Sequence, residues 1–325
     1  MSPRWRVVVD FCAGPVVMTG PTSRDPCIPQ EASSVITRKL PLLAAALIAF
    51  GMLTAGSATA TVSGDGGNRI GILRDNGEAY VKEGGLSATW VLEAGNIKQV
   101  VLSGNRIGVL KGNGEAYVKE GGLSAAWTLV AGQTKQIALS GNRIGVLKDN
   151  GEAYVKEGGL SAAWTLVAGQ TKEIELSGNR IGIVKGNGDA YVKEGGLSAT
   201  WVLEAVDVID IDLAGTRIGV FTGGGEAFVK EGGLSALWVL EANDVIQLEL
   251  SGNRIGVLND KGEAYVKEGG LSAAWTLEAN NVIQIALSGT RIGILVGSGQ
   301  AFVKEGGLSA AWVLEANDVT ELVLS

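Results

Sequence analysis

Beyond residue 60 the chain is written in short apolar runs punctuated by Gly, Asn and Ser, and the punctuation recurs at a fixed interval. The unit Lys135 to Gly169, "KQIALSGNRIGVLKDNGEAYVKEGGLSAAWTLVAG", carries four segments with strand character: Gln136 to Ser140, Arg143 to Leu147, Glu152 to Glu157 and Trp164 to Val167. No segment repeats apolar residues at i, i+3 and i+4 over ten or more positions, and Gly recurs too often for a helix interior. The pattern predicts an all-β domain. The joints are legible as well. Asn150-Gly151 predicts a type I′ hairpin, in which both central residues take positive φ, and Ser140-Gly141-Asn142 predicts a second tight turn. Gly158-Gly159-Leu160-Ser161-Ala162 makes a longer connection ahead of Trp164.

Seven Trp mark the period. Trp90, Trp127, Trp164, Trp201, Trp238, Trp275 and Trp312 each follow a Gly-Gly-Leu-Ser-Ala run, 37 residues apart. Seven four-stranded units predict a seven-bladed β-propeller. The competing architecture, an open solenoid, requires atypical polar units at its ends, yet the first unit and the last resemble the middle ones. The first unit begins at its second strand, Arg69 to Leu73, and the strand it lacks stands at the other end of the chain, Thr320 to Leu324. Pairing the two closes the ring and leaves no orphan edge.

Composition separates at the same point. All six Pro, both Cys (Cys12 and Cys27) and all three Met precede Thr61, and the chain has no His. The repeats therefore offer no disulfide, no thiolate or imidazole ligand, no Cys nucleophile and no His base. Ahead of the repeats, Arg38-Lys39, the apolar run Leu42 to Leu53 and the small residues Ala58-Thr59-Ala60 have the order of a secretory signal. The run is too short for a transmembrane helix. Residues 35–60 are thus expected to be a cleaved signal peptide and 61–325 the propeller, with the mature chain secreted. Residues 1–34 do not fit in front of such a signal, so translation is expected to begin near Val35. Without residues 1–60, 22 Lys and Arg stand against 31 Asp and Glu, a net charge of −9. Nucleic acid and anionic membrane surfaces, which reward clustered Lys and Arg, are not expected partners.

Within the seven copies Val-Lys-Glu-Gly-Gly-Leu-Ser-Ala never changes, and each second strand opens on Arg: Arg69, Arg106, Arg143, Arg180, Arg217, Arg254 and Arg291. The hairpin tips drift freely, which excludes a calcium loop built on them. Trp164 has two readings. With Leu166 on the same strand face it fills the wedge between adjacent sheets, or it offers a flat apolar platform to a ligand ring. Glu157 likewise either pairs with an Arg of its own or the next blade, or accepts hydrogen bonds from sugar hydroxyls. Lys156 and Glu157 point to opposite faces and do not pair with each other. The middle of the first strand reads Val101, Ala138, Glu175, Asp212, Glu249, Ala286 and Val323, as expected of a face lining a wet central channel. Its three acids lack the close spacing of a ligand set, so no metal is expected.

The motif Gly-Asn-Arg-Ile-Gly-Val-Leu followed by Glu-Ala-Tyr-Val-Lys-Glu-Gly-Gly-Leu-Ser-Ala-Ala-Trp resembles the repeats of secreted bacterial seven-bladed propellers of the tachylectin-like lectin type, over Asn68 to Ser325. That resemblance implies sugars held between blades, often against Trp. It makes carbohydrate-binding candidates of the seven Trp and of Glu83, Glu120, Glu157, Glu194, Glu231, Glu268 and Glu305. A monomeric, multivalent, non-catalytic glycan binder without a cofactor is the expectation, because catalysis needs unequal groups and every candidate here recurs sevenfold. A structural or protein-interaction scaffold is the second reading.

Overall fold

The computed structural model describes residues 68–325. The expected signal peptide and the segment before it lie outside the described residues. Within the described residues twenty-eight strands, from β1 (Arg69–Arg74) to β28 (Val319–Leu324), form seven four-stranded antiparallel sheets. Blade 3 is typical, with strands at Thr134–Ser140, Arg143–Lys148, Ala153–Glu157 and Thr165–Ala168. The first strands of successive blades lie against one another around the axis, and the fourth strands form the rim. Blade 1 is completed from both ends: β28 pairs antiparallel with β1, Ile70 opposite Leu324 and Ile72 opposite Leu322. The closed ring is the one the repeat predicts.

The core sits in the seven seams between blades rather than within a sheet. At one seam Ile137, Leu139, Ile144 and Val146 of blade 3 pack on Leu110, Ala116 and Val118 of blade 2. The Gly in the middle of each second strand makes that approach possible. A Cβ on Gly108 would lie 3.1 Å from Leu139 Cδ1 and 3.2 Å from Ile137 Cδ1, both in the next blade, and only 2.7 Å from Val101 Cγ2. Position 108 is a packing position, and the sheet gives up a side chain there so that the neighbour can fill the space.

Three local expectations are corrected. The hairpin at Lys148 is not type I′: only Gly151 has positive φ (82°), and its amide donates to the Lys148 carbonyl, 2.9 Å. This is a three-residue loop whose αL residue is Gly. Asn150 contributes by accepting the Glu152 amide through Oδ1 at 3.0 Å. Next, Trp164 precedes the fourth strand and does not share a packed face with Leu166, which is 53% exposed on the rim. Finally, Val101, Ala138, Glu175, Asp212, Glu249, Ala286 and Val323 are all buried. The two faces of a first strand look at its two neighbouring blades, so these side chains meet another sheet and do not line a wet channel. Val101 packing with Ile137 and Leu139 of the next blade is one instance, and the Asp212 carboxylate accepting the Leu250 amide of the next blade is another.

Candidate functional site

The predicted Trp and Glu residues all fall at the seams. Each Trp lies half-buried against the cluster it shares with the preceding blade. Trp164 packs against the seam of blades 2 and 3, and its Nε1 donates to the Val130 carbonyl in the fourth strand of blade 2 at 3.2 Å. Trp90 does the same across the closure, to Glu315 at 3.3 Å. One ring face is covered by the Lys of the same blade. Lys156 Nζ stands 4.7 Å from the Trp164 centroid, and the other six pairs lie between 4.7 and 5.0 Å.

These Lys are almost wholly buried, which sequence reasoning did not foresee for a residue type that is seldom fully covered. Lys156 Nζ donates to the Leu160 carbonyl, using the Gly-Gly-Leu-Ser-Ala loop as its acceptor, and the same bond recurs in the other blades. In five seams the ammonium also meets a buried carboxylate of the preceding blade: Lys119 with Glu93, Lys230 with Glu204, Lys267 with Glu241, Lys304 with Glu278, and Lys82 with Glu315. Burial pushes the carboxyls of Glu204 and Glu241 up, and their Lys partners draw them back. Val130 and Val167 replace the acid at the other two seams. There Lys156 and Lys193 have no carboxylate, and burial pushes both amines below the usual range, with nearby Arg106 and Arg143 respectively acting in the same direction.

The seven Glu meet the seven Arg of their own blades, the bland reading of that position. Arg143 Nε donates to Glu157 Oε1 at 2.7 Å, and Arg254 to Glu268 likewise at 2.7 Å. A second guanidinium nitrogen reaches a glycine carbonyl in the next blade, from Arg143 to Gly195 through to Arg291 and Gly84 at the closure. The Glu side chains keep between 30% and 47% exposure, so one side of each carboxylate faces water. A cavity of about 200 Å3 opens at the seam of blades 5 and 6, lined by Asn243, Asn259, Tyr265 and Trp275 among others.

A further set of polar side chains, on the first strands, escaped the sequence reading. In four blades the third residue of the first strand is a Gln that clamps the backbone of the next blade. Gln99 Nε2 donates to the Ile137 carbonyl (3.2 Å) while its Oε1 accepts the Ile137 amide (3.0 Å), and Gln136, Gln247 and Gln284 repeat this on Ile174, Ile285 and Leu322. Acids stand at the same position elsewhere: Glu173, Asp210 and Glu321. Glu173 and Asp210, together with Glu175, Asp212 and Glu249, form a buried acidic sector in blades 4 to 6, and burial followed by mutual proximity pushes Glu173, Glu175, Asp212 and Glu249 far up. Among the described residues no group of three or more acidic, His or Cys side chains is arranged to hold a metal ion.

No family model matches the chain, and no curated protein matches it. Solved propellers do. The chain is similar to human WBSCR16 (12% identity, TM-score 0.59, covering 73% of this chain and 87% of that one). It is also similar to Prp20p of Saccharomyces cerevisiae, the yeast RCC1 (9% identity, TM-score 0.58, 78% and 86%). Hsv2p of Kluyveromyces lactis is a third (14% identity, TM-score 0.52, 77% and 94%). At these identities the likeness is one of fold, so the chain is a seven-bladed β-propeller. The propellers it matches include the yeast RCC1, and not the tachylectin-like lectins that its repeat motif resembles. No helix among the described residues is long and apolar enough to cross a membrane.

Proposed function

We propose that this propeller is a non-catalytic scaffold for protein–protein interaction, acting outside the cell. One observation carries the reading: the side chains repeated without change are spent on holding blades together. Trp164 Nε1, the Lys156 ammonium and the second Arg143 nitrogen each end on a backbone carbonyl or buried group of the protein itself. Residues that hold seams keep a ring rigid, and the hairpin tips, which vary from copy to copy, stay exposed. Propellers of this fold include one described bound to Kap60, and one studied for its binding to Gsp1p and histones. Those partners belong to those proteins, and the support they lend is by analogy of fold. The apolar run 42–53 and Ala58-Thr59-Ala60 support export.

A second reading, the lectin, draws on the cavity beside Trp275 and on the half-exposed Glu268 of the same blade. A pocket with one aromatic wall and several amide groups suits a sugar ring. Isothermal titration distinguishes the two. The scaffold reading expects a saturable 1:1 complex with a protein ligand that free monosaccharides do not compete away. Several equivalent sites per chain for a simple sugar would overturn it in favour of the lectin.

A further inference from the structure

In a chain whose copies are so nearly the same, positions that differ by sector carry information. One face of the ring collects the connections between blades and the hairpin tips. The second residue of each first strand sits at a register shift, which turns it out of the ladder onto this face. In blades 2, 3 and 4 that residue is Lys98, Lys135 and Lys172. In blades 5, 6 and 7 it is Ile209, Ile246 and Ile283, which are 47%, 48% and 56% exposed. The last residue of the second strand divides along the same line: Lys111, Lys148 and Lys185, then Thr222, Asn259 and Val296.

The lysines form a connected arc. Lys98 Nζ donates to the Thr134 carbonyl (3.4 Å), Lys135 Nζ to Thr171 (3.5 Å) and Lys172 Nζ to Val208 (3.2 Å), so each ammonium lies over the start of the next blade's first strand. Lys148 and Lys185 reach the Gly132 and Gly169 carbonyls beside them. On this face blades 2 to 4 present six lysines against Glu115, Asp149, Glu152 and Asp189. Blades 5 to 7 present only Lys261, against Asp207, Glu226, Asp244, Asp260 and Glu263. Glu115 and Glu152 are held by hydrogen bonds from Tyr117 (3.1 Å) and Tyr154 (2.9 Å), and Asp189 by one from Asn187 (2.9 Å).

We infer that this face binds an amphipathic acidic polypeptide segment, its carboxylates over the Lys98–Lys135–Lys172 arc and its apolar side chains on Ile209, Ile246 and Ile283. The inference rests on the scaffold reading and gives it a place and a partner chemistry. Three exposed Ile beside the arc have no use for a polyanionic glycan or nucleic acid, whereas an amphipathic segment covers them. A second copy of the chain fits less well: a two-fold pairing that matches the charged halves would press the three Ile against three ammonium groups.

The test titrates the full chain with synthetic peptides and follows fluorescence anisotropy. A peptide mixing Glu and Leu is expected to bind with an affinity that falls as salt rises. The triple variant Lys98→Glu, Lys135→Glu, Lys172→Glu should bind it about tenfold more weakly or worse, and Ile209→Ser with Ile246→Ser should weaken it too. All substituted side chains are exposed, so melting temperatures are expected to hold; Lys261→Glu, on the opposite sector, is the control. Equal binding of a Glu-only peptide, tighter binding of heparin, or a dimer in sedimentation that the lysine variant dissolves would overturn the inference. A protein ligand whose binding ignores the lysine variant would overturn this site while leaving the scaffold reading standing.

Discussion

Glu321 accepts the amide of Val100 through Oε2, 3.2 Å away, across the seam of blades 1 and 2. Four other seams make this contact with Gln, which also donates to the carbonyl of the residue it clamps. A carboxylate has no proton to give, so the ionised Glu321 makes one bond where Gln99 makes two. The protonated acid is the closer mimic of the amide. Burial favours that form and raises the Glu321 carboxyl from 4.5 to about 8.

The sign of the resulting pH dependence follows from linkage. A carboxyl raised in the folded state binds more protons there than in the unfolded chain. Its contribution to stability is complete below pH 4.5, declines as pH rises, and is lost above about 8. Glu173, Glu175, Asp210, Asp212 and Glu249 shift in the same direction. Denaturant unfolding is therefore expected to show a more stable protein at pH 5 than at pH 9, with Glu321→Gln shrinking the difference by roughly 1.4 kcal/mol for each pKa unit removed. A stability profile that rises from pH 5 to pH 9 would contradict this account.

Ring closure has its own test. Removing residues 320–325 strips β1 of its partner strand, exposes its edge, and deletes Leu322 and Leu324 from the seam they share with Leu295, Ala301 and Val303. A closed ring cooperates, so the whole domain should melt lower, by many degrees. Loss confined to local order at one end, with the main transition unmoved, would fit an open array instead.

The buried Lys–Glu pairs predict an asymmetry. Glu278→Val should cost about 1 kcal/mol or less, because Lys304 keeps the Leu308 carbonyl and the Trp312 ring, as Lys156 keeps Leu160 and Trp164 where Val130 stands. Lys304→Met should cost about 3–5 kcal/mol, since it leaves the Glu278 carboxylate buried without its partner. Thermal unfolding of the two variants measures the difference, and equal losses would mean that the pair acts as a unit.

The architecture was legible because strand periodicity, turn residues and a fixed 37-residue interval all point the same way, and because the first repeat lacks the strand that follows the last one. The direction of the side chains was less so. Alternation along Val101, Glu175 and Asp212 says that one face differs from the other, but whether that face meets a channel or another sheet depends on how blades stand around the axis. For the same reason Lys156 reads as a surface residue by type, and only the seam makes it a buried donor to the Leu160 carbonyl. The Lys-to-Ile division at Lys98, Lys135, Lys172, Ile209, Ile246 and Ile283 is present in the sequence. It acquires meaning only when the ring sets these six positions on one face.

Trp164 is where the structural and ligand-binding uses of the repeat part most cleanly. Its ring fills the seam of blades 2 and 3 beneath Lys156, and its Nε1 is bonded to Val130. Trp164→Ala removes that bulk and leaves a cavity that neighbouring sheets cannot close without moving, so a loss toward the lower end of about 3–5 kcal/mol is expected for a half-buried ring. Trp164→Phe keeps most of the packing and forfeits one hydrogen bond, a loss nearer 1 kcal/mol. Paired thermal melts of the two variants read this ladder directly. A ring serving as a sugar platform predicts a different outcome, with melting temperatures near that of the parent and one fewer site in calorimetric titration with a soluble monovalent sugar. That second outcome would return the seam to the lectin reading, because a side chain that can be deleted without cost is not holding the blades together.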